Sequence, residues 1–232
     1  MGEHSRYLTG ELGKQTRPKI IELRQLTVLH EHVPVLQEIS LDIFEGEALV
    51  LLGQVEAGKH ALLACLLGQI QPARGKISVM GVSVPPLPAE TRRQIGVMPQ
   101  FVERKTSETV AAYLQRFAAY YDVKLTGAQI SHYCAHYQLP PGALVAELST
   151  LQARVLALAL TLVHDPRLAL LVEPLSGLAP ADQEAFQVYL LRTRSEGRTL
   201  LCTFTPPLAE KYILGYDGVV KLAQGRIVRQ NI

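Results

Sequence analysis

The chain carries little charge of one sign. Lysine and arginine number 23 against 21 aspartate and glutamate, a formal net of +2. A balance that small leaves no electrostatic footprint for a polyanion, so nucleic acid is not expected as a partner. Cysteine is scarce too. Cys65, Cys134 and Cys202 are the only three, and their spacing fits no metal-binding pattern. Such isolated thiols suggest a reducing compartment rather than a disulfide framework. Long apolar runs are missing as well. The most apolar stretch, Val155 to Val163, is bounded by Arg154 and His164, about half of what a bilayer needs. Met1 to Lys19 is polar, so no signal peptide is expected. Internal repeats and low-complexity segments are not seen. These absences predict a soluble chain that is free to dock on a membrane protein. What is present is core-forming material: hydrophobic residues make up 48% of the 232. That suits one domain with a subdomain, or two small domains.

Residues 1 to about 18 are polar and unpatterned, which predicts a flexible tail ahead of a domain at 19–232. Ile20 to Val28 reads as a strand, and Val35 to Ile43 as a second, alternating one. Glu45-Gly46-Glu47 turns the chain into Ala48 to Leu52, an apolar run of strand length. Lys76 to Gly81 is a short strand, and Pro85, Pro86 and Pro88 mark a loop. Ile95 to Gln100 is a strand ending on glutamine. From Ser107 to about Tyr137 the pattern turns helical, with a break near Thr126-Gly127 and an end at Pro140-Pro141-Gly142. A long helix is predicted from Thr150 to Val163, then a buried strand from Leu168 to Val172 that ends on Glu173-Pro174. A helix from Pro180 to Ser195, a strand from Thr199 to Phe204 and a terminal hairpin turning at Gln224-Gly225 complete the chain. Alternating strands and helices predict an α/β fold with a mostly parallel, covered sheet. The early and late hairpins add an antiparallel β flank, and an inserted helical subdomain is placed at about 101–147.

One stretch organises the rest. Gly53-Gln54-Val55-Glu56-Ala57-Gly58-Lys59-His60 lies between the strand ending at Leu52 and a helix over Ala61 to Leu67. Strand, glycine-bearing turn and helix, with Gly-Lys closing the turn, is the layout of a phosphate-binding loop. Backbone N–H groups and the helix N-terminus would face the phosphates, and Lys59 would reach them. Two residues have other chemistry. The pattern ends on a hydroxyl that holds magnesium, and here His60 stands there; imidazole is a poor ligand for so hard an ion. Glu56 sets a carboxylate where the anion would lie. A like-charge pair at about 5 Å costs on the order of 1–3 kcal/mol at effective dielectric 20–80. From this we expect Glu56 to pair with Lys59 as a tethered stand-in for phosphate.

Taken together, these stretches resemble, in this order, the nucleotide-binding subunit of ATP-binding cassette (ABC) transporters, over roughly residues 20–230. Gly53 to His60 is similar to Walker A, with Ala61 following it. Gln100 is similar to the Q-loop glutamine. Leu148-Ser149-Thr150-Leu151-Gln152 stands where the family has LSGGQ, Leu168 to Glu173 resembles Walker B, and Ser176-Gly177-Leu178-Ala179 resembles the D-loop. Val97-Met98-Pro99-Gln100 is similar to the ATPases of export-type permeases. The resemblance implies a phosphate-loop NTPase core, ATP with magnesium as ligand, and Gly53, Gly58, Lys59, His60, Ala61, Gln100, Ser149 and Gln152 as nucleotide-contacting positions. It implies Glu173 as the catalytic base, a membrane permease and a second ATPase subunit, or a second copy, as partners, and a peripheral place at the inner face of the cell membrane.

The departures shape the expected function. Magnesium anchors in the family are a Walker A hydroxyl and a Walker B aspartate, and here those positions are His60 and Val172. The γ-phosphate-sensing histidine is Phe204, the signature glycines are Thr150 and Leu151, and the D-loop aspartate is Ala179. Phosphoryl transfer rests on positioning and charge neutralisation. A degenerate subunit is therefore expected, binding ATP weakly, with magnesium poorly held and little or no hydrolysis. The alternatives are an atypical but active ATPase, and a stand-alone binding module reusing the fold. Several residues keep two readings. The loop holds nucleotide or merely joins a strand to a helix; His30 stacks on adenine or is a surface histidine. Gln100 couples core to helices or is simply solvated. Ser149 and Gln152 touch a partner's nucleotide, or Ser149 caps its helix, the reading favoured here. Tyr113, Phe117, Tyr120 and Tyr121 are core or permease interface, and Glu103-Arg104-Lys105 is read as a solvated loop.

Overall fold

The computed structural model describes residues 17–100, 104–206 and 209–231. Most of the predicted tail, and Glu103 of the charged loop, lie outside them. The chain opens with β1 (Lys19–His30) and β2 (Val33–Phe44), two long antiparallel strands. Strands β4 (Arg74–Val79) and β5 (Val82–Val84) extend this sheet in the order β2-β1-β4-β5. Its inward residues alternate along β1, where Ile21, Leu23, Leu26 and Val28 are buried. Positive φ at Gln25 (48°) and Glu38 (54°) accompanies the register shifts that twist the pair.

The second sheet has six strands in the order β10-β9-β3-β8-β7-β6. Strands β3 (Ala48–Leu52), β6 (Ile95–Met98), β7 (Leu168–Val172), β8 (Thr199–Phe204) and β9 (Gly218–Ala223) run parallel, and β10 (Arg226–Asn231) turns back on β9. All five residues of β3 and all six of β8 are buried. Both faces are covered, which is why these strands read as unbroken apolar runs rather than alternating ones. One apolar cluster lies between the two sheets, around Leu36, Leu49, Leu62 and Leu170. The other, on the far face, gathers around helix α5 (Thr150–Leu162) and Phe186. Ten consecutive residues of α5, Ala153 to Leu162, are buried. Fully burying one leucine of this kind stabilises by about 1.5–3 kcal/mol.

Helix α1 (Lys59–Leu66) follows β3, and the short α2 (Ala89–Arg93) follows β5. The proline-marked stretch thus holds β5 before it and α2 after it, neither of which its composition announced. Helices α3 (Val110–Tyr120) and α4 (Gly127–His136) form the helical region. Thr109 and Thr126 cap them, and the break falls where Thr126-Gly127 placed it. Tyr113 and Phe117 pack against the core, whereas Tyr120 is 79% exposed. Arg104 is not merely solvated: its guanidinium donates to Leu148 O at 2.7 Å. Helix α6 (Pro180–Ser195) and the short α7 (Ala209–Tyr212) lie between β7 and β9. No helix among the described residues is long and apolar enough to cross a membrane.

The parallel register positions the site. Leu52 pairs with Phe204, and Val172 pairs with Thr203, so β3, β7 and β8 end at one level. The loops leaving their carboxyl ends lie side by side, and in such sheets ligands usually bind outside those ends.

Candidate nucleotide site

The loop leaving β3 is tightly constrained by its neighbours. Gly53 donates its N–H to Phe204 O at 3.1 Å. A Cβ on Gly53 would lie 2.7 Å from both Ala57 Cβ and Leu222 O, so only glycine fits there. Val55–Ala57 makes one 3-10 turn, and Gly58 then enters the left-handed region at φ 99°. A side chain on Gly58 would be strained twice over, by this backbone and by Val35 O at 2.6 Å. Leu62 N donates to Gly58 O at 3.0 Å, which starts α1. The first N–H groups of α1 have no intrahelical acceptor and are available to an anion.

Lys59 is 0% exposed. Its ammonium donates to Gly53 O, to Phe204 O at 3.1 Å and to Thr205 Oγ1 at 2.7 Å. It also forms an ion pair with Glu173 Oε1 at 2.9 Å. Thr205 Oγ1 in turn donates to the same Oε1 at 2.9 Å. The expected pairing of Lys59 with Glu56 is therefore corrected. Glu56 is exposed on the 3-10 turn, and Lys59 points beneath the loop to a carboxylate delivered by β7. The reason is tertiary: β8 lies between β3 and β7, so their ends bring residues 59 and 173 together.

Glu173 is held by its backbone as well. Its φ is 46°, unusual for a side-chain-bearing residue and worth of order 1–3 kcal/mol of strain. Its N–H donates to Thr203 Oγ1 at 3.0 Å, and its carbonyl accepts from Ser176 N at 2.9 Å. Phe204 faces away from the candidate site: it is 2% exposed and packs edge-on against Tyr216, centroids 6.1 Å apart. The polar side chain at this strand end is instead Thr205.

Other predicted positions lie around this centre. His60 is exposed on α1, and Ala61 is partly buried. Gln100 Nε2 approaches Ser176 Oγ at 3.5 Å, which links the end of β6 to the turn after β7. Ser149 and Gln152 bond to each other. Ser149 Oγ accepts from Gln152 N at 3.1 Å, and Gln152 Oε1 accepts from Ser149 N at 3.0 Å. That reciprocal pair is a capping box at the start of α5. His30 is exposed near the end of β1.

Three residues of this region carry no signal that the motif reading used: Thr203, Thr205 and Arg154. Arg154 is 5% exposed and donates to Pro99 O at 3.2 Å and to Ser176 O at 2.5 Å. Burial pushes its guanidinium down from its ordinary value. It fastens the Gln100 segment and the turn after Glu173 to one helix. Its only trace in the sequence is a charge inside an otherwise apolar helix.

A glycine-bearing loop between a buried parallel strand and a helix, with its lysine at a strand-end glutamate, defines a phosphate-loop α/β cassette. The model of the family described as ABC transporter matches residues 36–176, and the chain belongs to that family. It is 34% identical over 187 residues to the Nod factor export ATP-binding protein I of Neorhizobium galegae, covering 79% of this chain and 54% of that protein. It is 30% identical over 217 residues to the protein of the same name from Cupriavidus pinatubonensis, covering 89% and 66%. The chain thus spans roughly half to two thirds of these relatives' lengths. Among solved structures it is similar to cbiO1 of Clostridium perfringens, part of the cbiONQ ABC transporter complex. That match has a TM-score of 0.82 and 22% identity, and covers 92% of this chain and 88% of the other. A bacterial ABC transporter cassette solved as a dimer gives a TM-score of 0.75 at 19% identity, covering 91% and 97%. The fold is that of the ABC ATPases, with its antiparallel β subdomain and helical region.

Proposed function

We propose that this chain is the nucleotide-binding subunit of an export-type transporter, and that its own phosphate loop turns ATP over slowly or not at all. It would sit beneath a membrane permease at the inner face of the cell membrane, paired with a second ATPase subunit or with itself. We also read the domain as residues 19–232, with a helical insert at about 101–147. Export is suggested by the names of the relatives. One observation carries the low-turnover part: the lysine that would neutralise phosphate is already neutralised by Glu173 at 2.9 Å.

The donor set supports the same reading. A magnesium ion needs hard oxygen ligands in near-octahedral order. The two positions that supply them in the family hold His60, an exposed imidazole, and Val172, which packs against the core. Glu173, a nearby carboxylate, is engaged by Lys59 and Thr205. These residues do not fit the ion. ATP would be held mainly by backbone amides of residues 53–61, and weakly. Structural or regulatory work remains open to such a subunit, because the coupling surface does not depend on hydrolysis. A cavity of about 720 Å³ opens between the core and the helical region, lined by Leu67, Leu87, Arg92, Val97, Tyr120 and Tyr121. We place the permease there.

A second reading is an atypical but active ATPase. Retention of Glu173 at the carboxyl end of β7 favours it, as does the ATP-binding role in the names of the relatives. Steady-state phosphate release by the purified complex separates the two. In the low-turnover reading, Glu173→Gln leaves the rate of this chain's site within about twofold. In an active site, loss of the base would lower it by about a hundredfold or more.

A further inference from the structure

Resting on the reading that residues 53–61 are a phosphate site, we infer that Lys59, Glu173 and Thr205 form an internal plug that excludes phosphate until Glu173 is displaced. An ammonium has three N–H donors. Those of Lys59 go to Gly53 O, Phe204 O and Thr205 Oγ1, and Glu173 Oε1 lies beside the ammonium as its ion partner at 2.9 Å. No N–H is left over for a ligand. Two of these four groups are backbone carbonyls at strand ends and cannot swing away. The other two are side chains, and they are joined to each other through the Thr205 hydroxyl at 2.9 Å. The removable part of the plug is therefore the Glu173–Thr205 pair.

Glu173 acts on phosphate binding in two ways. It occupies the cation, and it sets a negative charge beside an incoming anion. Both effects strengthen with burial, and Glu173 is 9% exposed. Its carboxylate is aimed by the φ of 46° and by the backbone bonds to Thr203 Oγ1 and from Ser176 N. Thr205 is a positioning residue: it bridges acid and base and touches the same oxygen that the ammonium touches. Nucleotide binding thus requires the Glu173 side chain to leave the ammonium, while the turn that carries it is held by Arg154 and Gln100 through Ser176.

The test is ADP binding to the full chain by isothermal titration, without magnesium. ADP is chosen because trapping of an unhydrolysed triphosphate cannot then mimic a gain. We expect Glu173→Gln to tighten ADP binding by about tenfold or more, since relief of a charge opposition at this range weighs a decade. Thr205→Val should give a smaller gain of about threefold, and Lys59→Ala should remove the gain when combined with Glu173→Gln. Glu173→Ala serves as a second variant, and circular dichroism confirms that each chain is folded. ADP affinity unchanged or weaker in both Glu173 variants overturns the plug while leaving the nucleotide site intact. Absence of ADP binding in every folded variant overturns the plug and the nucleotide reading together.

Discussion

At the scale of single residues, burial decides what each charge can do. Lys59 would be costly inside the protein without partners, and Glu173 with Thr205 supplies them. Arg154 meets the same problem differently, by donating to two backbone carbonyls. His164 meets it by staying neutral. Its ring stacks on Tyr121 at 3.7 Å and 6°, with both nitrogens shielded from water. Burial pushes its pKa down, the backbone at Ile95 and then Asp165 oppose that, and Arg198 adds to it. The unfolded chain therefore takes up a proton that the folded chain resists. Stability contributed by neutral His164 is present above its ordinary value of 6.5 and is lost as pH falls below it toward the lowered folded value. His164→Phe, which keeps a stacked ring, should flatten the loss of melting temperature between about pH 6.5 and 5. An unchanged acid slope would show that this ring does not set it.

At the scale of elements, local signals agree with their surroundings at some points and not at others. Helix α5 starts at Ser149 because Ser149 and Gln152 satisfy each other's backbone N–H groups. That bond pattern needs no ligand. Ser149→Ala should cost about 1 kcal/mol of stability in urea unfolding. A loss near zero would mean that the helix start is fixed by packing of Ala153 to Leu162 alone. The capping reading of Ser149 is thus met in the structure, whereas the pairing of Glu56 with Lys59 is not. Both pairings join residues three apart; the first is satisfied within one turn of its own helix, whereas Lys59 is drawn off by Glu173, which strand order brings to it from β7. Element β5 and helix α2 were illegible because three prolines in a short span look like pure loop. Val82–Val84 is a strand only because β4 pairs with it.

At the scale of the whole molecule, the candidate site and an open cavity beside the helical region lie at different places on the fold. The candidate site lies at the carboxyl ends of β3, β7 and β8. The cavity exposes Tyr120, whose ring sits edge-on to Tyr121 at 5.2 Å. Exposed Tyr120 with half-buried Tyr121, beside Arg92 and Val97, suits a partner with an apolar face and a polar rim. Tyr120→Glu should leave the isolated chain folded and lower recovery of the permease from detergent extract by about tenfold. Undiminished recovery would move the partner elsewhere, and recovery of no membrane protein by the unmodified chain would favour a stand-alone module.

Apart from β5, α2 and α7, the order of strands and helices is written in the sequence, as are the phosphate-loop layout and the family resemblance. Each depends on neighbours within a few residues or on apolar periodicity along one segment. The same holds for the cap at Ser149 and the break at Thr126-Gly127. Only the tertiary structure decided which carboxylate meets Lys59, that Phe204 turns into the core while Thr205 faces the ion pair, and that Arg154 ties the two turns together. Those contacts join segments far apart in the chain, brought level by parallel strand register, and no local pattern encodes a register between strands that are not consecutive.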